Sequence, residues 1–152
     1  MPRNPTAKTP LEWLLFAWTA INVVVSAVVV LPMLANEKVR ATSHLFIATL
    51  VLGVVLVFGL VLVWKLWRPT FAILVAGAIF WGVQIFSLRQ PEAVYLLRMG
   101  LTMDFRLNSD PNFTIAINVL ALMVTLMFAV AAKDRRDGRA ATGAKAPVTR
   151  SD

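Results

Sequence analysis

Residues 13–36 read WLLFAWTAINVVVSAVVVLPMLAN and contain no charged side chain. A helix rises 1.5 Å per residue, so about 20 apolar residues cross the roughly 30 Å hydrocarbon core of a bilayer. Three further uncharged runs of similar length follow, at 45–64, 69–88 and 111–132. A soluble domain has no reason to reach this length four times, so the sequence predicts a membrane protein.

Composition supports the same class. The chain is 59% hydrophobic and 15% charged, whereas soluble domains contain about 45–50% apolar and about 25% charged residues. It has no cysteine, which excludes disulfides, thiolate metal sites and a cysteine nucleophile. The formal net charge of +7 is explained in a membrane chain by topology and by anionic lipid head groups. We therefore expect the lipid bilayer, and no nucleic acid, as a partner.

The predicted fold is an all-α membrane protein, an up-and-down bundle of four transmembrane helices. Thr9 followed by Pro10 suits the start of the first helix, because threonine can cap a helix and proline fits its first turn. Residues 1–9 form an N-terminal tail, and the Gly-, Ala- and charge-rich residues 134–152 form a basic tail that we predict to be disordered. The four spans are predicted at about 10–35, 42–67, 69–88 and 111–133.

The distribution of basic residues predicts the orientation. With four spans, both tails and the turn at 65–68 share one side, which carries ten of the 15 lysines and arginines, and the other side carries five. Basic residues favour the cytoplasm, so both termini are predicted to be cytoplasmic. The Ala- and Arg-rich tail indicates a bacterial chain, and hence the inner membrane. Trp13, Trp64 and Trp67 then fall at the cytoplasmic interface, where indole rings favour the head-group level.

The connection at 89–110 is too polar to span a bilayer and too apolar for an ordinary loop. From Pro91, helical spacing gives apolar flanks and one narrow polar face, which predicts a short interfacial helix lying in the outer head-group layer. Met103, Phe105 and Leu107 then alternate with polar neighbours, the period of an extended segment. A cap over the bundle, a docking surface or a lid over a ligand pocket would each use such a segment. The candidate docking face consists of Glu92, Tyr95, Arg98 and Thr102.

Four uncharged polar residues form a candidate intramembrane polar cluster: Asn22, His44, Gln84 and Asn118. One interpretation is a pocket for a quinone, a lipid head group or a polar group of a partner. The favoured interpretation is interhelical hydrogen bonding, which is worth about 0.6 kcal/mol per bond. The predicted spans hold no ionisable residue at depth, which argues against a proton- or sodium-coupled transporter.

The sequence carries no catalytic signature. It has no G-x-S-x-G, no H-E-x-x-H and no glycine-rich phosphate loop. Its single histidine excludes a bis-histidine haem within one chain. We therefore predict a protein that is not an enzyme and that binds no cofactor or metal.

Three functional hypotheses follow. The first is an accessory, assembly or scaffold subunit of a larger membrane complex, bound to other membrane subunits or to copies of itself. The second is a small oligomeric transporter or a holin-like pore, with its path along Asn22, Gln84 and Asn118. The third is a quinone- or lipid-binding protein, which would gather His44 and four outer acids around one cavity: Glu37, Glu92, Asp104 and Asp110.

Overall fold

The computed structural model describes residues 8–89, 94–95, 100–108 and 114–143. Within these residues the chain is mostly helical, and a small antiparallel sheet lies between the last two helices in chain order. The helices are α1 (Pro10–Ala35), α2 (Glu37–Ala41), α3 (Ser43–Leu66), α4 (Phe71–Gly82) and α5 (Val119–Gly143). The strands are β1 (Phe86–Arg89), β2 (Val94–Tyr95), β3 (Asp104–Arg106) and β4 (Thr114–Asn118).

The first two predicted helices are present, as α1 and α3. Thr9 and Glu12 form a capping box at the start of α1: the Glu12 N–H donates to Thr9 Oγ1 at 3.1 Å, and the Thr9 N–H donates to Glu12 Oε2 at 2.8 Å. Such a box satisfies two backbone donors that the helix leaves unpaired. Pro32 lies inside α1, which continues to Ala35. The predicted turn between α1 and α3 contains the short helix α2.

Two helices of the described residues, Pro10–Ala35 and Leu45–Leu66, are long and apolar enough to cross a membrane. Helix α4 has 12 residues and rises about 18 Å. The uncharged part of α5, at 119–132, rises about 21 Å. The described residues therefore contain four longer helices, α1, α3, α4 and α5. Of these, only α1 and α3 have an apolar part long enough for a complete span.

The predicted helices at 69–88 and 111–133 are wrong at the end of the first and the start of the second, on either side of the connection. Helix α4 ends at Gly82 and α5 begins at Val119, and the residues between them and the connection form β1 and β4. These strands pair antiparallel, from Phe86 opposite Ile117 to Arg89 opposite Thr114. Thr and Ile favour strands, and an uncharged run does not by itself distinguish a buried strand from a helix.

The predicted interfacial helix is also corrected, because Val94–Tyr95 is the strand β2. Strand β2 pairs with β1, and the sheet order is β2-β1-β4-β3. A helix of about a dozen residues is marginal without tertiary support, whereas a strand beside β1 gains hydrogen bonds from an existing sheet. The extended segment predicted after it is present as β3.

Helix α5 continues to Gly143, so the predicted disorder does not hold for 134–143. Alanine and arginine, which are frequent in this stretch, favour helices. An ion pair of Arg135 with α1, described below, holds the extension against the bundle. Residues 144–152 lie outside the described part of the chain.

The main core lies where α4 and α5 pack side by side, antiparallel. Gly77 of α4 faces Phe128 of α5, and a Cβ atom at Gly77 would lie 2.3 Å from Phe128 Cε1. Glycine is therefore needed for the ring to pack flat against α4. The buried residues around this contact are Leu15, Leu62, Leu66, Leu74, Trp81, Ala121, Val124, Ala131 and Ala132.

Candidate functional site

Asn22 connects the middle of α1 to the segment that precedes β3. Its side chain is fully buried. Its Nδ2 donates to Trp18 O at 2.9 Å, and its Oδ1 accepts the Leu101 N–H at 2.7 Å. Gly100 has φ +74, and a Cβ atom there would lie 2.1 Å from Asn22 Oδ1. Position 100 thus needs glycine for its backbone conformation and for the close approach of the amide.

Asn118 holds the same segment from the other side. Its Oδ1 accepts the Ala121 N–H at 3.2 Å, which caps α5, and the Met103 N–H at the longer distance of 3.4 Å. Its own N–H donates to Ile85 O at 2.7 Å. Two buried asparagines on different elements therefore bind backbone donors two residues apart. We call residues 100–103 the anchored segment.

Gln84 is buried beside this arrangement, because the next residue, Ile85, accepts the hydrogen bond from Asn118. Gln84 Nε2 donates to Phe80 O at 3.1 Å. Three of the four members of the candidate polar cluster, Asn22, Gln84 and Asn118, thus lie around the same part of the sheet and the anchored segment. Asn22 and Asn118 use their amides on backbone donors of the anchored segment, rather than on another helix's side chains or an open path.

His44 lies apart from the other three members of the polar cluster. Gly53 of α3 packs beside Leu34 of α1. Leu34 is twelve residues along α1 from Asn22. His44 is nine residues farther along α3 in the same direction. At 1.5 Å per residue, His44 is about 30 Å from Asn22 along the helix axes.

The predicted docking face is not assembled on one helix. Tyr95 lies in β2, and Thr102 is an exposed residue of the anchored segment. Glu92 and Arg98 lie outside the described residues. A stripe with a spacing of three to four residues needs a continuous helix, and the strand at Tyr95 interrupts it.

The sheet presents an exposed apolar face that sequence reasoning missed. Phe86, Ile117 and Phe105 are direct cross-strand neighbours, so their side chains share one face of the sheet. Phe86 is 61% exposed and Phe105 is 64% exposed. The ladder continues with hydrogen bonds from Leu107 N to Ile115 O and from Val119 N to Met103 O. We define the apolar sheet face as Phe86, Met103, Phe105, Leu107, Ile115 and Ile117.

The other side of the sheet is more polar. Asp104 and Arg106 lie there and are exposed, whereas Ala116 and Asn118 lie there and are buried. A half-solvated antiparallel sheet ordinarily buries its apolar face and exposes its polar face. In this sheet, by contrast, the apolar face carries exposed side chains. The alternation of Met103, Phe105 and Leu107 was the sequence signal for it.

An ion pair joins α1 to α5 at the end where α1 begins. Arg135 Nε donates to Glu12 Oε1 at 2.5 Å, and Arg135 Nη2 donates to Glu12 Oε2 at 3.0 Å. The Glu12 side chain is 1% exposed and that of Arg135 is 17% exposed. Two parallel bonds of this kind are the strong form of an arginine–carboxylate pair. The sequence alone did not predict this pair, because its members are 123 positions apart.

Aromatic rings surround Lys8 at the same end. Its Nζ lies 3.9 Å from the ring centroid of Trp13, 4.4 Å from that of Trp67 and 4.6 Å from that of Phe16. This is cation–π geometry. Burial lowers the pKa of Lys8, and the Glu12 carboxylate acts in the opposite direction. Trp13 and Trp67, two of the three tryptophans predicted at the cytoplasmic interface, are neighbours, with ring centroids 6.0 Å apart.

Comparisons with protein families, with curated proteins and with solved structures found no match for this chain. Among the described residues, no three His, Asp or Glu side chains are gathered in a way that would hold a metal ion. The described residues therefore contain three notable features: buried asparagines bonded to backbone N–H groups, an exposed apolar sheet face, and a cluster of charged and aromatic side chains where α1 begins.

The anchored segment generates a first prediction. Asn22→Leu removes the acceptor of the Leu101 N–H, and the loss of one such hydrogen bond costs about 0.5–1.5 kcal/mol. We expect a lower midpoint of thermal unfolding in detergent. Ser26→Ala is the matched control, because Ser26 is buried one turn away on α1 and its Oγ has no hydrogen-bond partner in the described part of the chain. Equal midpoints for the two variants would contradict the role of Asn22.

The ion pair generates a second prediction. Arg135→Met removes both hydrogen bonds that the guanidinium donates to the buried Glu12 carboxylate and should cost about 3–5 kcal/mol of unfolding free energy. Glu12→Gln should cost less, because glutamine still completes the capping box and Arg135 retains access to water. The double variant should then be more stable than Arg135→Met alone. Arg136→Met, an exposed neighbour, is the control for loss of charge, and the measurement is unfolding in detergent.

Proposed function

We propose that this chain is a non-catalytic, multi-pass membrane protein that acts as an accessory, assembly or scaffold subunit of a larger membrane complex. The apolar sheet face is the observation that carries the proposal. All four longer helices lie in the membrane, and both termini are in the cytoplasm of a bacterial cell.

The outward surfaces of the helices support membrane insertion. Each of the four longer helices exposes large apolar side chains, for example Val28 on α1, Phe58 on α3, Ile79 on α4 and Leu126 on α5. Soluble proteins rarely expose apolar patches larger than a few hundred Å². In a bilayer these side chains contact lipid instead of water, so their exposure on all four helices carries no free-energy penalty.

The asparagine contacts support a structural rather than a conducting role. Asn22 and Asn118, which a polar path would use, bind backbone donors of the anchored segment. Their burial is therefore explained by the need to pair backbone groups where water is excluded. Their use in this way favours the scaffold over the pore among the three hypotheses.

The edges of the sheet favour a protein as the occupant of its apolar face. Strands β2 and β3 are the edge strands. Lipid chains cannot hydrogen-bond to strand edges, whereas a protein partner can cover the face and supply backbone or side-chain partners to an edge. We therefore assign the apolar sheet face to contact with another subunit of the complex.

Orientation is tested with single cysteines, because the chain has none of its own. Lys38→Cys on α2 and Gly138→Cys on α5 replace an exposed lysine and a glycine with open space around it. A membrane-impermeant maleimide should label Lys38→Cys in intact spheroplasts, and should label Gly138→Cys after permeabilisation alone. The reverse pattern would contradict the predicted topology, which rests on the distribution of basic residues.

Partner contact is tested with two neighbouring residues on opposite faces of β3. Phe105→Ser removes an aromatic side chain from the apolar sheet face, and Arg106→Ser alters the other face; both native residues are exposed. After purification in mild detergent from the native host, Phe105→Ser should recover at least fivefold less of each specifically co-purifying membrane protein. A fivefold loss corresponds to about 1 kcal/mol of binding free energy, which truncation of an important interface residue commonly exceeds. Arg106→Ser should recover the same amount as the unmodified chain.

Two results would count against the scaffold proposal. The first is equal recovery of partners with Phe105→Ser and Arg106→Ser at equal amounts of protein in the membrane. The second is rapid loss of membrane potential when the unmodified chain is expressed, which would instead favour the pore.

A further inference from the structure

A groove lies between α4 and α5 near the end where α4 begins, and it has a volume of about 840 Å³. Its walls are apolar along most of its length. The residues from α4 are Phe71, Val75, Ala78 and Ile79, and the small residues from α5 are Ala129 and Ala132. Because α4 is antiparallel to α5, Phe71 lies at the same end of the groove as the charged part of α5.

The mouth of the groove is charged. Lys133, Arg136 and Asp137 of α5 line it and all three are exposed. Lys133 and Arg136 are three residues apart, a spacing that places them on one face of a helix. Arg135, which lies between them in sequence, is turned to Glu12 of α1 instead. The mouth therefore presents two cations and one anion.

We propose that this groove is a specific site for one anionic phospholipid of the cytoplasmic leaflet. One acyl chain lies along the apolar walls, and the phosphate lies between Lys133 and Arg136. Asp137 offers an acceptor to a hydroxyl group of the head group. The proposal rests on the membrane insertion and orientation given under the proposed function, because they place the mouth at the cytoplasmic head-group level.

The polarity of the groove along its length selects this occupant. A helix of a partner would need an apolar face for the walls and an acidic residue placed at the mouth. Every anionic phospholipid has an apolar acyl chain next to a negatively charged phosphate, which matches the apolar walls and the basic mouth. Attraction between anionic lipid and basic residues near the membrane surface corresponds to about a fivefold change in binding for each residue.

The site is tested by native mass spectrometry of the full-length protein in mild detergent, with dioleoyl phosphatidylglycerol or dioleoyl phosphatidylcholine added. The unmodified chain should retain one phosphatidylglycerol in preference to phosphatidylcholine. Lys133→Gln with Arg136→Gln should reduce that preference at least fivefold. Lys65→Gln with Arg68→Gln is the matched control, because both residues are exposed at the same end and do not line the groove; its preference should remain within twofold of the unmodified chain.

A second variant tests the acyl chain independently of charge. Ala129→Phe places a ring in the groove from a position already exposed at its wall, and should abolish retention of either lipid. Retention of phosphatidylglycerol by this variant, or an equal loss of preference in both charge pairs, would overturn the site. Normal labelling of Lys38→Cys in cells alongside a failed lipid result would refute the lipid site and leave the membrane topology standing.

Discussion

Backbone pairing in the absence of water is the constraint on which the rest of this structure depends. Helix α4 ends at Gly82 and α5 begins at Val119, and the described residues between them need the hydrogen-bond partners that a helix would otherwise supply. The sheet supplies part of them through the pairing of β1 with β4. Asn22 and Asn118 supply others, because each accepts a backbone N–H of the anchored segment. A buried N–H without a partner costs about as much as a lost hydrogen bond. The side-chain amides of Asn22 and Asn118 therefore contribute to the stability of this region.

The two ends of the bundle are stabilised by different physical means. Where α1 begins, the link between α1 and α5 is electrostatic: the Glu12 carboxylate completes a helix cap and binds the Arg135 guanidinium. Aromatic rings and the Lys8 ammonium surround the same end, as expected at a head-group boundary, where tryptophan and lysine are favoured. Near the anchored segment the contacts are neutral amides and an exposed apolar sheet. This asymmetry agrees with the two proposals, a lipid site at the charged end and a partner contact at the sheet.

The apolar sheet face and the groove between α4 and α5 would serve separate purposes. The sheet face is built from large side chains on edge and central strands, and such a surface suits a protein partner that covers both the face and an edge. The groove has apolar walls between two helices and ends at exposed charged residues, two of them basic, and such a site suits a lipid. A scaffold subunit with both would bind its complex through the sheet and the surrounding bilayer through the groove.

The sequence alone determined the helical class, the bounds of α1 and α3, the grouping of Trp13 with Trp67, and the extended segment that became β3. These features follow from local composition and period, because an uncharged run of helical length or a two-residue alternation is visible in neighbouring residues. Tertiary structure decided the end of the third predicted helix and the start of the fourth, since an apolar run is equally compatible with a buried strand until its partner strand is known. It also decided the roles of Asn22 and Arg135, whose partners lie 79 and 123 positions away. A hydrogen bond or an ion pair depends on distances in space, and sequence spacing carries no record of contacts between elements so far apart along the chain.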